Sequence, residues 1–482
     1  MLSFHTGFQL FDDIDDFKQD MKSGQWTYAI YRVEKFIEQN IEHDQILAPA
    51  TKNKYLFVSG IASKLLNEAK DYYLKAMALV EKIPVDKYKS RIKSEIERCD
   101  KLLWEIEQLL LKTRQKANRN GAFKNNSPLK KVHEKDIENA IEDGVTYLKE
   151  TLDESNRWSD FLTNAGLGSG WITNYVCYQL HEAGLAQKCV EDVSRSLIED
   201  EESLGGYNDF MIRDGDSLNF IIGINPLLPQ EQRERLVERW LTFQREDGGW
   251  GTYNDPVLLR RTLELPEDED VSGWTISHPC VAAVAAYMLK DLDQYSDEFA
   301  NTISWLAEQQ TAEGYLPAYW WTSPVYTTSF FVMAVAGVDK YARQQQQALQ
   351  WLAAYQETDG GWDSAIEGAN SNAFYTALAL KALLLSYPEK YEQQIEGGIH
   401  WLLNHQYEDG SWPVSRILKL PAPDVKDPSS VARWRKSSFG VNILVDDHLG
   451  NFSTATVVNM LACYQKLKLE PIEGENEKVE TN

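Results

Sequence analysis

The sequence predicts an all-α protein whose larger part is an (α/α)6 toroid, preceded by a smaller helical segment. Three observations carry that expectation. Apolar residues step by three and four through the first 112 positions. From about residue 136 onward the chain repeats a helical-hairpin unit. Finally, 13 of the 15 tryptophans fall between Trp158 and Trp434, so the excess of indole rings follows the repeats.

In residues 1–112, Phe8, Phe11, Ile14 and Phe17 recur at helical spacing. After a break at Pro84, Tyr88, Ile92, Ile96, Cys99, Leu103, Ile106 and Leu110 form a longer stripe. Residues 113–135, within KTRQKANRNGAFKNNSPLKK (Lys112–Lys131), are polar, basic and Gly/Asn-containing, the composition of a linker. Residues 136–470 hold the repeats, and 471–482 read as an acidic tail.

Four segments share one form, an aromatic-Leu pair, then Gln, three residues and Gly: WLTFQREDGGW (Trp240–Trp250), WLAEQQTAEGYL (Trp305–Leu316), WLAAYQETDGGW (Trp351–Trp362) and WLLNHQYEDGSW (Trp401–Trp412). Each runs on into a small-residue apolar helix, and two degenerate units precede them, giving six helix pairs. The glycine permits a left-handed turn at the end of the first helix, the Trp ring covers it, and the Gln amide can tie backbone groups of adjacent turns. Small residues in the second helix suit an inner ring where backbones converge. Six such pairs close into a toroid; an open stacked solenoid is the alternative.

Composition narrows the function classes. With 73 Asp and Glu against 49 Lys and Arg, the net charge is −24, which disfavours nucleic acid and polybasic lipid attachment. Five scattered cysteines without a CxxC pair fit reduced thiols and a cytoplasmic protein. The start, MLSFHTGFQLFDDIDDFKQD, lacks the layout of a signal peptide, and no apolar run approaches a transmembrane segment, although a peripheral membrane contact stays open.

The Gln-xxx-Gly-x-Trp units resemble the QW repeats of the squalene–hopene cyclase and prenyltransferase superfamily, with Tyr315-Leu316 departing from the pattern. LGGYNDFMIRDGDSLNFII (Leu204–Ile222) is similar to the segment carrying the Asp-x-Asp-Asp acid motif of class II terpene cyclases. Asp216 then falls on the proton-donating Asp, Asp214 on its partner, and Ser217 where the last Asp stands. The resemblance implies an isoprenoid cyclase that protonates a linear polyprene or prenyl diphosphate. It needs no cofactor, although a diphosphate could bring Mg2+.

GFQLFDDIDDFKQD (Gly7–Asp20) resembles the second aspartate-rich motif of class I polyprenyl diphosphate synthases, and SGIASKLLNEAKDYYLKAMALVEKI (Ser59–Ile83) its closing helices. The resemblance makes residues 1–112 a partial isoprenoid-synthase-type segment, with Asp12, Asp13 and Asp16 as magnesium carboxylates. The first aspartate-rich motif is missing, so the trinuclear site is incomplete here. A separate class I synthase subunit is the partner that would complete prenyl transfer.

Read from the residues, Asp214 and Asp216 are spaced so that one carboxylate raises the other's pKa, as a general acid requires. The same spacing suits an N-cap for the helix that follows. Trp274, Tyr319, Trp320, Trp321, Tyr326, Phe374 and Tyr375, with Tyr207, can line a cavity and stabilise carbocations through their faces, or simply pack a core. Zinc is disfavoured: His278-Pro279-Cys280 lacks an Asp at the needed spacing, and Asp446-Asp447-His448 reads as a turn. A non-catalytic toroid binding a lipid or protein partner is the alternative function.

Overall fold

The computed structural model describes residues 2–40, 49–81, 83–119, 136–199, 205–366, 369–437 and 440–469. It divides into two compact units, Met1–Arg119 and Asn120–Asn482. The rest of the expected linker, from residue 120, and the expected tail lie outside the described residues.

The first unit is helical: α1 (Leu2–Asp15), α2 (Phe17–Ser23), α3 (Tyr28–Asn40), α4 (Pro49–Val58), α5 (Ile61–Val80) and α6 (Asp86–Arg119). Phe11, Ile14 and Phe17 join Ile92, Cys99 and Ile106 in one core around Leu65, Leu66 and Tyr73. Gly7 lets α1 lie close on α5, since a Cβ there would meet the Ala69 carbonyl oxygen at 2.9 Å. Helix α6 continues through Arg119, into the segment read as linker, because its Lys, Arg, Gln and Ala residues are good helix formers.

The second unit comprises α7 (Ile137–Thr151), α8 (Gly170–Glu182), α9 (Gln187–Glu199), α10 (Gly215–Gly223), α11 (Gln230–Leu241), the short α12 (Pro256–Thr262) and α13 (Ser272–Thr275), α14 (Pro279–Leu289), α15 (Ser296–Glu308), α16 (Val325–Val335), α17 (Ala342–Ala354), α18 (Ala373–Ser386), α19 (Glu392–Leu403) and α20 (Asn451–Leu469). Helices α8, α10, α14, α16, α18 and α20 touch in that order, and α20 returns to α8. The inner ring is therefore closed, and the solenoid alternative falls. Being covered on every side, α16 is buried at each residue, as an inner helix apolar all round must be. Outside it, α9, α11, α15, α17 and α19 each pack on the inner helix that precedes them, while α7, with no predecessor, packs on α20.

The repeat residues make the turns that the spacing predicts. Gly248, Gly314, Gly360 and Gly410 all have φ between 84° and 104°. Gln356 Nε2 donates to its own turn at Gly360 O (2.8 Å) and to Gln394 O (2.9 Å) at the start of the next outer helix. Gln406 does the same at Gly410 O and Ala140 O, both 2.9 Å, which ties the last outer turn to α7. The indoles of Trp362 and Trp412 donate to carbonyls ten residues back, on Leu352 and Leu402. Trp158 does this to Leu148, which marks a degenerate first repeat.

Short strands, unforeseen by the all-α expectation, occupy the loops: β1 (Asp160–Thr163) with β2 (Gly166–Gly168), β3 (Trp362–Asp363) with β4 (Ser371–Asn372), and β5 (Arg416–Leu420), β6 (Arg435–Lys436) and β7 (Ile443–Asp446), with β7 central. Strands this short carry no readable alternation. At the far end of the ring, Glu182 of α8 receives the Tyr287 hydroxyl at 2.7 Å, Asn459 Nδ2 at 2.9 Å and the Lys381 ammonium, joining α8, α14, α18 and α20. Burial alone would raise the Glu182 carboxyl, but Lys381 and the hydrogen bonds from Tyr287 and Asn459 together hold it below its usual value. No helix among the described residues is long and apolar enough to cross a membrane.

Candidate active site

The N-terminus of α10 positions the acid pair. Asp214 is its N-cap: the Ser217 backbone N–H donates to Oδ1 at 2.7 Å and the Ser217 hydroxyl to Oδ2 at 2.8 Å. Between the two acids, Gly215 N–H donates to Thr252 O at 2.8 Å, and a Cβ at Gly215 would stand 2.5 Å from the Gly251 carbonyl oxygen. That close approach requires glycine. Both carboxyls are buried. Burial raises Asp214 to about 7 against the pull of the Ser217 hydrogen bonds. Burial first, then the Asp214 charge, pushes Asp216 well above the ordinary carboxylate range. Asp216 Oδ1 is buried without a hydrogen-bond partner. Capping and the acid pair, alternatives in sequence, coexist: Asp214 does the capping and leaves Asp216 free.

Asp216 is the second residue of its helix, and the equivalent residues of the other inner helices are Trp171, Cys280, Tyr326, Phe374 and Phe452. Centroid distances of 4.9 Å for Trp171–Phe452, 5.4 Å for Phe374–Phe452 and 6.1 Å for Tyr326–Phe374 join four of them. Trp321 lies among these rings, stacked on Tyr326 at 4.0 Å and on Phe374 at 5.0 Å, and within 5.8 Å of Trp171 and 5.6 Å of Phe452. After burial, Asp216 is the largest cause raising Tyr326 well above its ordinary value, so acid and aromatic layer are electrostatic neighbours.

A second aromatic group adjoins it. Trp274 and Trp320 meet edge-on at 5.6 Å, Tyr319 and Trp320 at 4.8 Å, and His278 stacks on Tyr319 at 3.9 Å. His278 Nε2 donates to Gly273 O at 2.8 Å, so Nδ1 accepts the Thr252 hydroxyl at 2.8 Å, whose oxygen accepts the Trp320 indole N–H at 2.7 Å. Buried and neutral, His278 is held down at about 3 by desolvation. The hydroxyl of Tyr375 donates to Ile417 O at 2.9 Å and accepts the Ser323 N–H, which pins it in the wall. Tyr207 stacks on Trp171 at 6.3 Å.

The predicted aromatics thus fall into two groups, with Tyr375 beside the first. Trp171, Phe452, His278 and Thr252 were not foreseen. Aligning the repeats on the second residue of each inner helix would have found the first two.

In the first unit, Asp13 is buried and its Oδ2 accepts the Tyr28 and Ala29 N–H groups at 3.0 and 3.4 Å, capping α3, while Gln9 Nε2 donates to Oδ1 at 2.9 Å. Asp15, not Asp16, pairs with Arg98 at 3.1 Å. Burial, then Asp16 and Asp13, raises Asp12. Among the described residues no group of three or more His, Cys, Asp or Glu is arranged to hold a metal ion. With Asp13 engaged in its cap, the donor set does not fit the magnesium site.

Residues 227–419 match the family described as squalene–hopene cyclase C-terminal domain. A probable squalene–hopene cyclase of Sinorhizobium fredii is 29% identical over 164 residues, 30% of this chain and 24% of its own. The chain thus spans about a quarter of the length of that curated relative. The type II terpene cyclase MstE from Scytonema superposes with a TM-score of 0.61 at 26% identity, covering 69% of this chain and 99% of that one. A variant of that cyclase in complex with geranylgeranyl dihydroxybenzoate, named as its substrate, gives 0.60 at 26% identity, covering 68% and 96%. The closed ring, the tied turns and these likenesses together give the second unit the toroid fold of the squalene–hopene cyclases and terpene cyclases that it resembles.

Proposed function

We propose that the toroid is a class II-type isoprenoid cyclase that acts by protonating a linear polyprene or prenyl diphosphate. One observation carries the reading: a buried carboxyl, Asp216, whose neutral form its surroundings favour, has an unpartnered oxygen in the same layer as a set of aromatic faces. A general acid for an alkene must be neutral and dry, and both follow from desolvation beside Asp214. The Asp216 proton passes to a terminal alkene carbon, whose π pair becomes the new C–H bond and leaves a tertiary cation. Trp171, Trp321, Tyr326, Phe374 and Phe452 stabilise that charge through their faces as further alkenes close rings. The last cation loses a proton or takes up water, which balances the step. Trp274, Tyr319, Trp320 and Tyr375 shape the wall.

No metal is needed for that chemistry; a diphosphate substrate would carry magnesium with it. A class I synthase partner, peripheral membrane contact and a cytoplasmic location complete the proposal, supported by the sequence features that suggested them; Asp13 of the aspartate-rich segment caps α3, so no magnesium site is proposed there. The test is purified full chain with geranylgeranyl diphosphate, farnesyl diphosphate and squalene, its extracts read by mass spectrometry. A cyclic product that disappears in Asp216→Asn supports the reading, and one that survives that change overturns the proton-donor role.

A further inference from the structure

Six of the described non-glycine residues take a left-handed backbone, and of these only Phe161 is aromatic. Its φ is 49° and its ring is fully buried. A side chain this large strains such a conformation, and strain of that kind persists only where the surroundings enforce it. The cause is a β-bulge: Asp160 pairs with Gly168 and Leu162 with Leu167, so Phe161 has no partner on β2. A bulge re-aims the side chain it carries.

Here the ring is turned into the acid's layer. The Phe161 ring lies 5.5 Å from that of Trp171 and meets Phe452 edge-on at 5.3 Å. Those two residues are the counterparts of Asp216 on α8 and α20. Phe161 thus reaches the layer from the β1–β2 hairpin, not from an inner helix. Hydrogen bonds hold it there: its N–H donates to Asp160 Oδ1 at 3.1 Å, and its carbonyl accepts the Tyr207 hydroxyl. Asp160 is fully buried and serves both phenylalanines. Its Oδ1 also accepts the Leu449 N–H at 3.0 Å, and Oδ2 accepts the Phe452 N–H at 3.3 Å. Tyr207 belongs to the loop that runs into the acid pair, where the Asp214 N–H donates to Gly205 O at 2.7 Å. Plain core filling needs neither a strained backbone nor a buried carboxyl, both of which cost stability. What the arrangement does is fix one more aromatic face relative to the acid-bearing loop.

We propose that Phe161 is a specificity-determining residue that presents its face to the first cation formed at Asp216, and that Asp160 is its positioning residue. The inference rests on the cyclase reading for the origin of that cation. Without the face, the early cation loses a proton or takes up water before the next ring closes.

The test uses the full chain with Phe161→Leu, a trifluorinated phenylalanine at position 161, Tyr207→Phe and Asp160→Asn. Trifluorination keeps the ring and the backbone strain but drains the negative face, so a packing role would not register it. Extracts are read for fully against partly cyclised product, and kcat is measured apart from KM. Phe161→Leu and the fluorinated ring are expected to lower kcat and the product ratio at least about fivefold. Tyr207→Phe should lower the ratio about twofold at an unchanged melting temperature. Asp160→Asn, whose amide accepts on one side only, should reproduce the ratio of Phe161→Leu; if it fails to fold, Tyr207→Phe decides the positioning. A wild-type ratio and kcat in the fluorinated chain overturn the proposal and leave the cyclase standing. Calorimetric titration separates the two readings, using a polyprenyl chain with a dimethylammonium group in place of its terminal alkene and the neutral chain. Fluorination should weaken the ammonium about fivefold and the neutral chain less than about twofold. That result without cyclic product from any polyprene would sink the cyclase reading and keep the Phe161 face, whereas equal weakening, or none, overturns it.

Discussion

The Ser217 hydroxyl lies 2.8 Å from Asp214 Oδ2, in the position where the related acid motif has a third carboxylate. A neutral donor there stabilises the charged form of Asp214 without adding a further negative charge beside Asp216. Ser217→Ala deletes that donor but keeps the backbone cap, so Asp214 rises further. Turnover should fall by a factor of about ten with little change in melting temperature, at the scale of one hydrogen bond to a charged group. Unchanged turnover would remove Ser217 from the acid network.

Asp216→Asn should abolish product while leaving the fold intact. Amide and protonated carboxyl are close in size, and burial beside Asp214 favours the neutral form. Thermal unfolding of the variant within a few degrees of wild type, together with loss of product, is the expected pair of results.

The pH dependence has a definite sign. Asp214 titrates at about 7 in the folded chain against 3.8 as a free side chain. Between those values the folded state binds more protons than the unfolded state, so stability falls as pH rises through the window. Asp216, also raised, adds in the same direction. Turnover requires the protonated acid and should likewise fall on the alkaline side. A pH profile with rate and melting temperature both rising from pH 5 to 8 would contradict the assigned protonation.

Gln406→Ala breaks the buried bonds to Ala140 O and Gly410 O, a cost of about 1–3 kcal/mol. Gln356→Ala should cost as much overall. Only the former should speed amide exchange in α7, which mass-detected hydrogen exchange can resolve.

Asp13→Asn weakens the cap on α3 and should cost about 1 kcal/mol in the first unit. Millimolar Mg2+ should leave the unfolding of the wild-type first unit unmoved. A clear Mg2+-dependent stabilisation would restore the metal reading for Asp12, Asp13 and Asp16.

Much of the toroid was legible because Gln, Gly and Trp recur for mechanical reasons: the amide spans two turns, the glycine takes a positive φ, and the indole reaches back ten residues. Asp214 and Asp216 stood out through the resemblance to the acid motif, since their spacing alone suits an N-cap equally well. Trp171 and Phe452 did not, because each looks like an ordinary apolar residue until six helices are laid side by side at one level. His278 and Thr252 were hidden for another reason. Their link to Trp320 joins residues 26 and 68 apart in sequence, and no periodicity records such a contact.

The seam between α7 and α20 bears on how the chain is made. The Tyr147 hydroxyl donates to the carbonyl of Leu449, 302 residues further on. Synthesis proceeds from the N-terminus, so the apolar face of α7, with Ala140, Ile141, Val145 and Leu148, emerges long before its cover exists. Loop closure over such a span comes late and slowly. A nascent toroid is therefore an open, sticky arc until α20, the last helix of the ring, has been made, and that helix acts as its clasp.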